Sequence, residues 1–139
     1  MLIFPLKKQW YDKIKSGEKT VEYREFKRYW TKRIYVEFKK QFAKKFGAEV
    51  FSALPNYDSF TKDLEEMPVV FGDGTECSPV LWDCKLRLGY TKKYLSAKIS
   101  KIEVVDGKDT DLHIDKPVYA IHLSDVWEIR NANGKCRRD

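Results

Sequence analysis

The eight residues Gly17-Glu18-Lys19-Thr20-Val21-Glu22-Tyr23-Arg24, GEKTVEYR, form the stretch on which the rest of the chain depends. The leading glycine is suited to end a helix, because glycine adopts the left-handed conformation of a helix C-terminus at little cost. The residues after it alternate as in a strand, so Glu22 and Arg24 share one face while Val21 and Tyr23 share the other. The alternation favours the core for Val21 and Tyr23 and solvent for the charged pair. The stretch thus predicts a helix-to-strand junction that carries a lysine, a glutamate and an arginine.

A short amphipathic helix is predicted just upstream of this junction. Leu2 to Phe4 is an apolar strand, and Pro5 stands at the point where the helix would open, a position that proline favours. Leu6, Trp10 and Ile14 recur every four residues, which predicts one buried stripe along the helix.

The remainder of the chain predicts helices first and strands later. Between the junction and residue 80 we expect a helical turn at Tyr29-Trp30, a strand over Ile34 to Phe38, a helix over Lys39 to Phe46, a helix over Phe60 to Glu66 capped by Asp58 or Ser59, and a strand over Val69 to Phe71 before the turn Gly72-Asp73-Gly74. After residue 80 we expect strands over Trp82 to Leu88, Tyr94 to Val105 with a bulge near Lys101, and Val118 to Ile129, then a polar, frayed tail over 131–139. This combination indicates an α+β fold with a curled or barrel-like sheet.

Composition narrows the class of protein. At 139 residues the chain is predicted to form one domain. Its mean hydropathy of −0.58 and the lack of a long apolar run argue against a membrane span, and the apolar N-terminus lacks the basic leader and cleavage site of a signal peptide. Cys77, Cys84 and Cys136 are odd in number and not in a metal-binding spacing. We therefore expect reduced thiols, a cytoplasmic protein, and neither a metal nor a cofactor.

Positive charge is concentrated in the first third of the chain. Residues 1–50 hold 14 Lys and Arg against 6 Asp and Glu, whereas residues 51–139 hold 13 against 15. Such asymmetry indicates an anionic partner, with nucleic acid or a nucleotide first, or else a solvated lysine-rich helix face.

Aromatic residues alternate with cations after the junction. The residues concerned are Tyr11, Tyr23, Tyr29, Trp30 and Tyr35, with Arg24, Lys27, Arg28, Lys32 and Arg33. Ring faces beside cations suit the bases and phosphates of single-stranded nucleic acid, although we expect at least half of these rings to be core. Gly89-Tyr90-Thr91 is a second candidate rim, where Tyr90 would stack on a base. His122 is predicted to be structural and not catalytic.

Chemistry at the junction centres on Lys19. Because it lies where the helix passes into the strand, its side chain can bend towards Glu22. A lysine in a partly buried cluster can act as a base. Lys19 and Glu22 are therefore the candidate catalytic residues.

The sequence around the junction resembles a known family. The run KKQWYDKIKSGEKTVEYREFKRYWTKRI, residues 7–34, is similar to the N-terminal signature of the ASCH domain, a member of the PUA-like β-barrel superfamily. The family hallmark Gly-x-Lys-x-x-Glu-x-Arg is matched by Gly17, Lys19, Glu22 and Arg24. The run RLGYTKKYLSAKISKIEVV, residues 87–105, resembles the family's later Gly-Tyr turn and strand. The Trp10 helix and the segment around Tyr29-Trp30 resemble those of the small ASCH proteins common in phages and prophages, with residues 36–80 as an insertion.

The resemblance implies a PUA-like β-barrel with helices near one opening and a cleft lined by the hallmark charges, which would then face inward. It implies binding of RNA or a nucleotide-like ligand. The ligand-binding candidates are Gly17, Lys19, Thr20, Glu22, Arg24, Trp30, Arg33 and Tyr90.

Two alternatives stay open. Some small bacterial ASCH members hydrolyse N4-acylated cytidine with a lysine, a threonine and a glutamate, and others are reported as ribonucleases. Lys19 matches the lysine, but Glu22 stands where those hydrolases place the threonine nucleophile, and Thr20 is one residue after the lysine. The second alternative is a protein-interaction module that uses residues 36–80 as its contact surface.

Overall fold

The computed structural model describes residues 1–49, 55–66, 69–71, 82–129 and 136–137. Helices and strands are both present in these residues, which confirms the prediction of an α+β fold. The described strands are β1 (Leu2–Leu6), β2 (Val21–Glu25), β3 (Val69–Phe71), β4 (Trp82–Leu88), β5 (Tyr94–Asp106), β6 (Pro117–Ile129) and β7 (Cys136–Arg137). The described helices are α1 (Lys8–Lys15), α2 (Arg28–Phe46) and α3 (Tyr57–Glu66).

The strands form one mixed sheet. Its hydrogen-bonded order is β1-β4-β5-β6-β2, with β3 pairing with β5 and β7 pairing with β6. Strand β1 runs parallel to β4, with Leu2 opposite Cys84. Strands β4 and β5 form an antiparallel hairpin in which Arg87 lies opposite Tyr94. The hairpin turn is at Gly89-Tyr90, as predicted.

The contacts divide the chain into two compact units. The first unit comprises Met1–Glu22, Leu81–Ser100 and His122–Asp139, and the second comprises Tyr23–Val80 and Lys101–Ile121. The core of the first unit consists of Leu2, Phe4, Leu6, Tyr11, Ile14, Cys84, Leu86, Leu95, Ala97, Ile99, Leu123 and Ile129. The core of the second consists of Trp30, Ile34, Tyr35, Phe60, Ile102, Val118, Tyr119, Ala120 and Ile121.

The first helix is shorter than predicted. Pro5 does not open it but lies within β1, opposite Arg87 of the parallel partner strand. Proline is tolerated there because β1 is at the end of the sheet order, where one side of the strand needs no ladder hydrogen bonds. The helix begins at Lys8 and buries Tyr11 and Ile14, so the predicted stripe of Leu6, Trp10 and Ile14 is only partly right.

The predicted secondary structure differs most from the observed one in α2. Ile34 to Phe38 was predicted as a strand because apolar and polar residues alternate there, but the whole segment Arg28–Phe46 is a helix. Trp30, Ile34 and Tyr35 are buried at helical spacing, and this longer periodicity outweighs five residues of alternation. Residue 36, where the insertion was placed, lies inside this helix.

The following segment contains α3, which begins earlier than predicted. The side chain of Asn56 accepts a hydrogen bond from the Ser59 backbone N–H at 2.9 Å, so Asn56 is the cap and not Asp58 or Ser59. Strand β3 occupies its predicted residues. The predicted turn at Gly72-Asp73-Gly74 lies outside the described residues.

The C-terminal half follows the predicted strands closely. Buried side chains on β5 alternate through Leu95, Ala97 and Ile99 and then change phase to Ile102, as the predicted bulge requires. Cys136–Arg137, predicted to be frayed, instead pairs with β6 as β7. Among the described helices none is both long and apolar enough to span a membrane.

Candidate ligand site

Lys19, Glu22 and Trp10 come together in the first unit, and we call them the Lys19 cluster. The Lys19 Nζ lies 3.4 Å from the Glu22 Oε1. The same nitrogen lies 4.5 Å from the centre of the Trp10 ring, which is within the range of a cation–π interaction. The Lys13 Nζ lies 5.3 Å from the same ring. One ammonium group thus contacts both a carboxylate and an indole face.

The Lys19–Glu22 pair is largely removed from solvent. The Lys19 side chain is 11% exposed and that of Glu22 is 6% exposed. The solvent-facing reading of the strand pattern is therefore wrong for Glu22, and the neighbouring Val21 and Tyr23 are only half-buried. Burial, together with the negative charges of Asp83 and Glu22, raises the pKa of the Cys84 thiol to about 12. The negative charge of Glu22 is thus one of the charges that affect the buried Cys84 thiol.

The junction itself positions Lys19. Helix α1 ends at Lys15 with Ser16 as its C-cap, and Gly17 follows with φ +85°, a conformation that side-chain-bearing residues rarely adopt. The Lys19 N–H then donates to the Lys13 carbonyl at 3.0 Å, which turns the chain back across the end of the helix. The Thr20 carbonyl accepts from the Leu123 N–H at 2.8 Å, so β2 is already paired where Glu22 follows. The Thr20 side chain itself is exposed.

Three other predicted site residues belong to the second unit. The Arg24 guanidinium lies 5.1 Å from the centre of the Trp30 ring, and Trp30 is buried. Arg33 is exposed and its guanidinium lies 4.5 Å from the centre of the Tyr29 ring. Each arginine therefore has an aromatic partner within its own unit.

Tyr90 is displayed at the tip of the β4–β5 hairpin in the first unit. Its side chain is 94% exposed, the largest exposure among the large hydrophobic residues described. Gly89 has φ +57° and its N–H donates to the Leu6 carbonyl at 2.8 Å, while the Thr91 hydroxyl donates to the Leu88 carbonyl at 2.7 Å. The turn is thus tied to its surroundings, and the ring stands in solvent, where a base could stack on it.

A second buried carboxylate was not predicted from the sequence. Glu128 is 1% exposed; its Oε2 accepts from the Tyr11 hydroxyl at 3.2 Å, and it lies 3.2 Å from the Lys15 Nζ and 3.9 Å from the Lys93 Nζ. We call these four residues the Glu128 cluster. The available signal was the lone acid in the apolar run Val126-Trp127-Glu128-Ile129, but this run alone does not tell whether the glutamate is buried.

Other types of site have no support in the described residues. No group of three or more His, Cys, Asp and Glu side chains in that part of the chain could hold a metal ion. His122 lies within β6, and its carbonyl accepts a hydrogen bond from the Ser100 hydroxyl at 3.4 Å.

Comparison of the chain with protein-family models, with curated proteins and with solved structures gives no match.

Proposed function

We propose that this protein binds RNA or a nucleotide-like ligand at the Lys19 cluster. The observation that carries the proposal is the Lys19 Nζ, held 3.4 Å from a buried carboxylate and 4.5 Å from an indole face. A buried ion pair is seldom the most stable choice for a core, since apolar replacements of similar volume are often neutral or stabilising. Its presence beside an aromatic ring fits a binding role better than a structural one.

The three side chains offer complementary contacts to a nucleobase or nucleotide. Lys19 would donate to a carbonyl or phosphate oxygen. Glu22 would accept from an exocyclic amine or ring N–H, and the Trp10 ring would contribute an apolar face. Tyr90, 94% exposed on the same unit, would stack on a further base.

The resemblance to the ASCH domain supports the same assignment. It rests on Gly17, Lys19, Glu22 and Arg24, and the positive φ of Gly17 gives that hallmark glycine a physical reason. A PUA-like fold and a cytoplasmic location belong to this proposal.

Binding of a short RNA tests the proposal. We expect a fluorescently labelled trinucleotide to bind at low salt, and Lys19→Ala to weaken that binding by roughly 10- to 100-fold, since a charged hydrogen bond contributes about 1.5–3 kcal/mol. Fluorescence anisotropy measures the affinity. Lys108→Ala is the matched control, because Lys108 is exposed and already lies 3.2 Å from the Asp115 carboxylate. Equal affinity of the Lys19→Ala and Lys108→Ala proteins would refute the site.

The close contact between Lys19 and Glu22 also favours the hydrolase alternative, in which Lys19 serves as a base through a bound water. Glu22 in place of a threonine nucleophile and the exposed Thr20 hydroxyl count against the amide-cleaving mechanism. Incubation with N4-acetylcytidine and with labelled RNA separates the two functions, since only a hydrolase gives turnover that Lys19→Ala abolishes.

A further inference from the structure

The exposed face of α2, in the second unit, carries only positive charge. Every exposed charged side chain described in this helix is a cation, and these residues are Arg28, Lys32, Arg33, Lys40 and Lys44. The single acid among the helix's 19 residues, Glu37, is 4% exposed and accepts a hydrogen bond from the Gln41 side chain at 2.8 Å. We call the five exposed cations the cationic face of α2.

The cationic face is continuous along the helix. At 100° per residue the five cations fall within less than half a turn of the helix circumference. At a rise of 1.5 Å per residue, Arg28 to Lys44 spans about 24 Å. Such a strip is long enough to meet several consecutive phosphates of a nucleic-acid strand.

This arrangement has a cost in the isolated protein. Arg28 and Lys32 are like charges four residues apart, as are Lys40 and Lys44, and each such pair destabilises a helix by about 0.2–0.5 kcal/mol. The first turn contains no acid and Lys27 provides no side-chain cap, so cations stand at the positive end of the helix dipole. A polyanion bound along the face would relieve both effects.

A membrane surface is a poorer partner for this helix. An interfacial helix must insert its apolar face into lipid, but Ile34 and Tyr35 are 0% and 9% exposed within the core of the unit. Trp30, on the same side, is also buried. Among the described side chains of α2, the exposed ones are the five cations together with Tyr29, Val36 and Phe46.

The burial of the aromatic residues limits what this face can read. Of the rings predicted to interleave with the cations, Trp30 and Tyr35 are core, and only Tyr29 is exposed on α2, at 54%. Phe46, 44% exposed, is at the other end of the helix, about 26 Å from Tyr29 at 1.5 Å per residue. Two rings so far apart cannot stack a run of bases, whereas five cations can follow a phosphate backbone. Such contacts give affinity without sequence specificity and depend strongly on salt.

We propose that the cationic face of α2 binds the sugar-phosphate backbone of nucleic acid. The proposal extends the function assigned to the Lys19 cluster to a second surface, but it does not depend on that cluster. It predicts sequence-independent, salt-sensitive binding of strands long enough to span the face.

The salt dependence of affinity tests the proposal. We expect log K for a single-stranded RNA of about 20 nucleotides to fall steeply with log salt between about 50 and 200 mM. The triple substitution Arg28→Gln, Lys32→Gln and Lys40→Gln should reduce the magnitude of that slope by about 2, because each lost phosphate contact removes about 0.7. The matched control replaces Lys8, Lys98 and Lys108 by Gln, since each of these lysines already faces an aspartate, at 2.7, 2.9 and 3.2 Å.

The two triple variants lose the same net charge, so a difference between them reports on the face itself. An equal change of slope in both would overturn the proposal, as would an unchanged slope in the α2 variant. The triple substitution Arg28→Lys, Lys32→Arg and Lys40→Arg keeps every charge and should keep the slope of the wild type. Single-stranded DNA of the same length should behave like RNA, whereas polyglutamate or anionic vesicles that bind as tightly and respond to the same variants would contradict a nucleic-acid partner.

The trinucleotide keeps this test separate from that of the Lys19 cluster, because it is too short to span the face. Trinucleotide binding that depends on Lys19, with no effect of the α2 variant on long RNA, would refute the backbone surface alone. An α2-dependent slope without Lys19-dependent trinucleotide binding would refute the Lys19 site alone.

Discussion

Lys19 and Glu22 show why burial decides the meaning of a charged pair. An ion pair in solvent contributes about 0–1 kcal/mol, and many contribute nothing measurable. The Lys8–Asp12 pair on α1, with side chains 79% and 53% exposed, is of this kind. The Lys19–Glu22 pair is 11% and 6% exposed, so removing one partner leaves a costly buried charge. Lys19 and Glu22 therefore constrain the fold at the helix-to-strand junction.

Two buried acidic groups predict how stability responds to alkaline pH. Burial raises the pKa of the Cys84 thiol from 9.0 to about 12, and burial, opposed by a hydrogen bond with Thr31, raises the pKa of the Tyr119 hydroxyl from 10.0 to about 12. Above pH 9 the unfolded chain loses these protons while the folded chain keeps them, so stability falls as pH rises.

The Cys84 share of this effect can be measured separately. We expect the free energy of unfolding to fall by about 1.4 kcal/mol more in the wild type than in Cys84→Ala between pH 8 and pH 10. Urea titrations at the two pH values provide the comparison. The cost of the packing lost in Cys84→Ala is the same at both pH values, so it largely cancels in the pH-dependent difference. An identical pH dependence of the two proteins would show that Cys84 does not titrate differently on folding.

At the scale of elements, the Glu128 carboxylate connects parts of the chain that are distant in sequence. Tyr11 and Lys15 belong to α1, Lys93 directly precedes β5, and Glu128 is on β6. All these contacts lie within the first unit. The cluster thus fixes the helix that leads into the Lys19 junction.

Removing this carboxylate should destabilise the protein. Glu128→Ala removes an acceptor from the buried Tyr11 hydroxyl, for which we expect a loss of roughly 1–3 kcal/mol. Lys15 and Lys93 are 28% and 48% exposed, so water can solvate their charges after the substitution. Glu128→Gln retains an acceptor and should cost less. Urea denaturation gives the free energies.

Asp12→Ala is the control for Glu128→Ala, since it breaks an exposed ion pair on α1, the helix that carries Tyr11 and Lys15. It should lower the free energy of unfolding by less than about 1 kcal/mol. Similar losses of unfolding free energy for Glu128→Ala and Asp12→Ala would mean that the Glu128 cluster stabilises the fold no more than an exposed ion pair does.

The elements differ in how well the sequence predicted them. Strand β4 and the phase change on β5 follow from local alternation, because each residue's burial is set by its neighbours along one strand. Helix α2 could not be predicted from local pattern alone, because the residues from Ile34 to Phe38 alternate as in a strand. The burial of this segment depends on packing between Tyr35 and Phe60, whose ring centres lie 5.1 Å apart. Proximity of Lys19 to Glu22 was predictable from their spacing, whereas the role of Glu128 required the register of β6.

The cations that give residues 1–50 their excess of positive charge fall into two groups. Some cations are held by acids or rings: Lys15 pairs with Glu128, and Lys19 contacts Glu22 and Trp10. Others form the cationic face of α2, where no exposed acid of that helix balances them. Net charge alone could not separate these groups, because burial and partners decide which cations face solvent.

Nuclear magnetic resonance mapping shows whether a ligand binds at the Lys19 cluster. Titration of the isotopically labelled protein with an RNA trinucleotide should shift the backbone signals of Lys19, Thr20 and Glu22 and the indole N–H signal of Trp10. The signals of Lys108 and Asp115, an exposed ion pair at 3.2 Å, should stay unchanged. We predict saturable shifts centred on the Lys19 cluster. A titration that leaves the signals of Lys19, Thr20, Glu22 and Trp10 unshifted would show that the trinucleotide does not bind there.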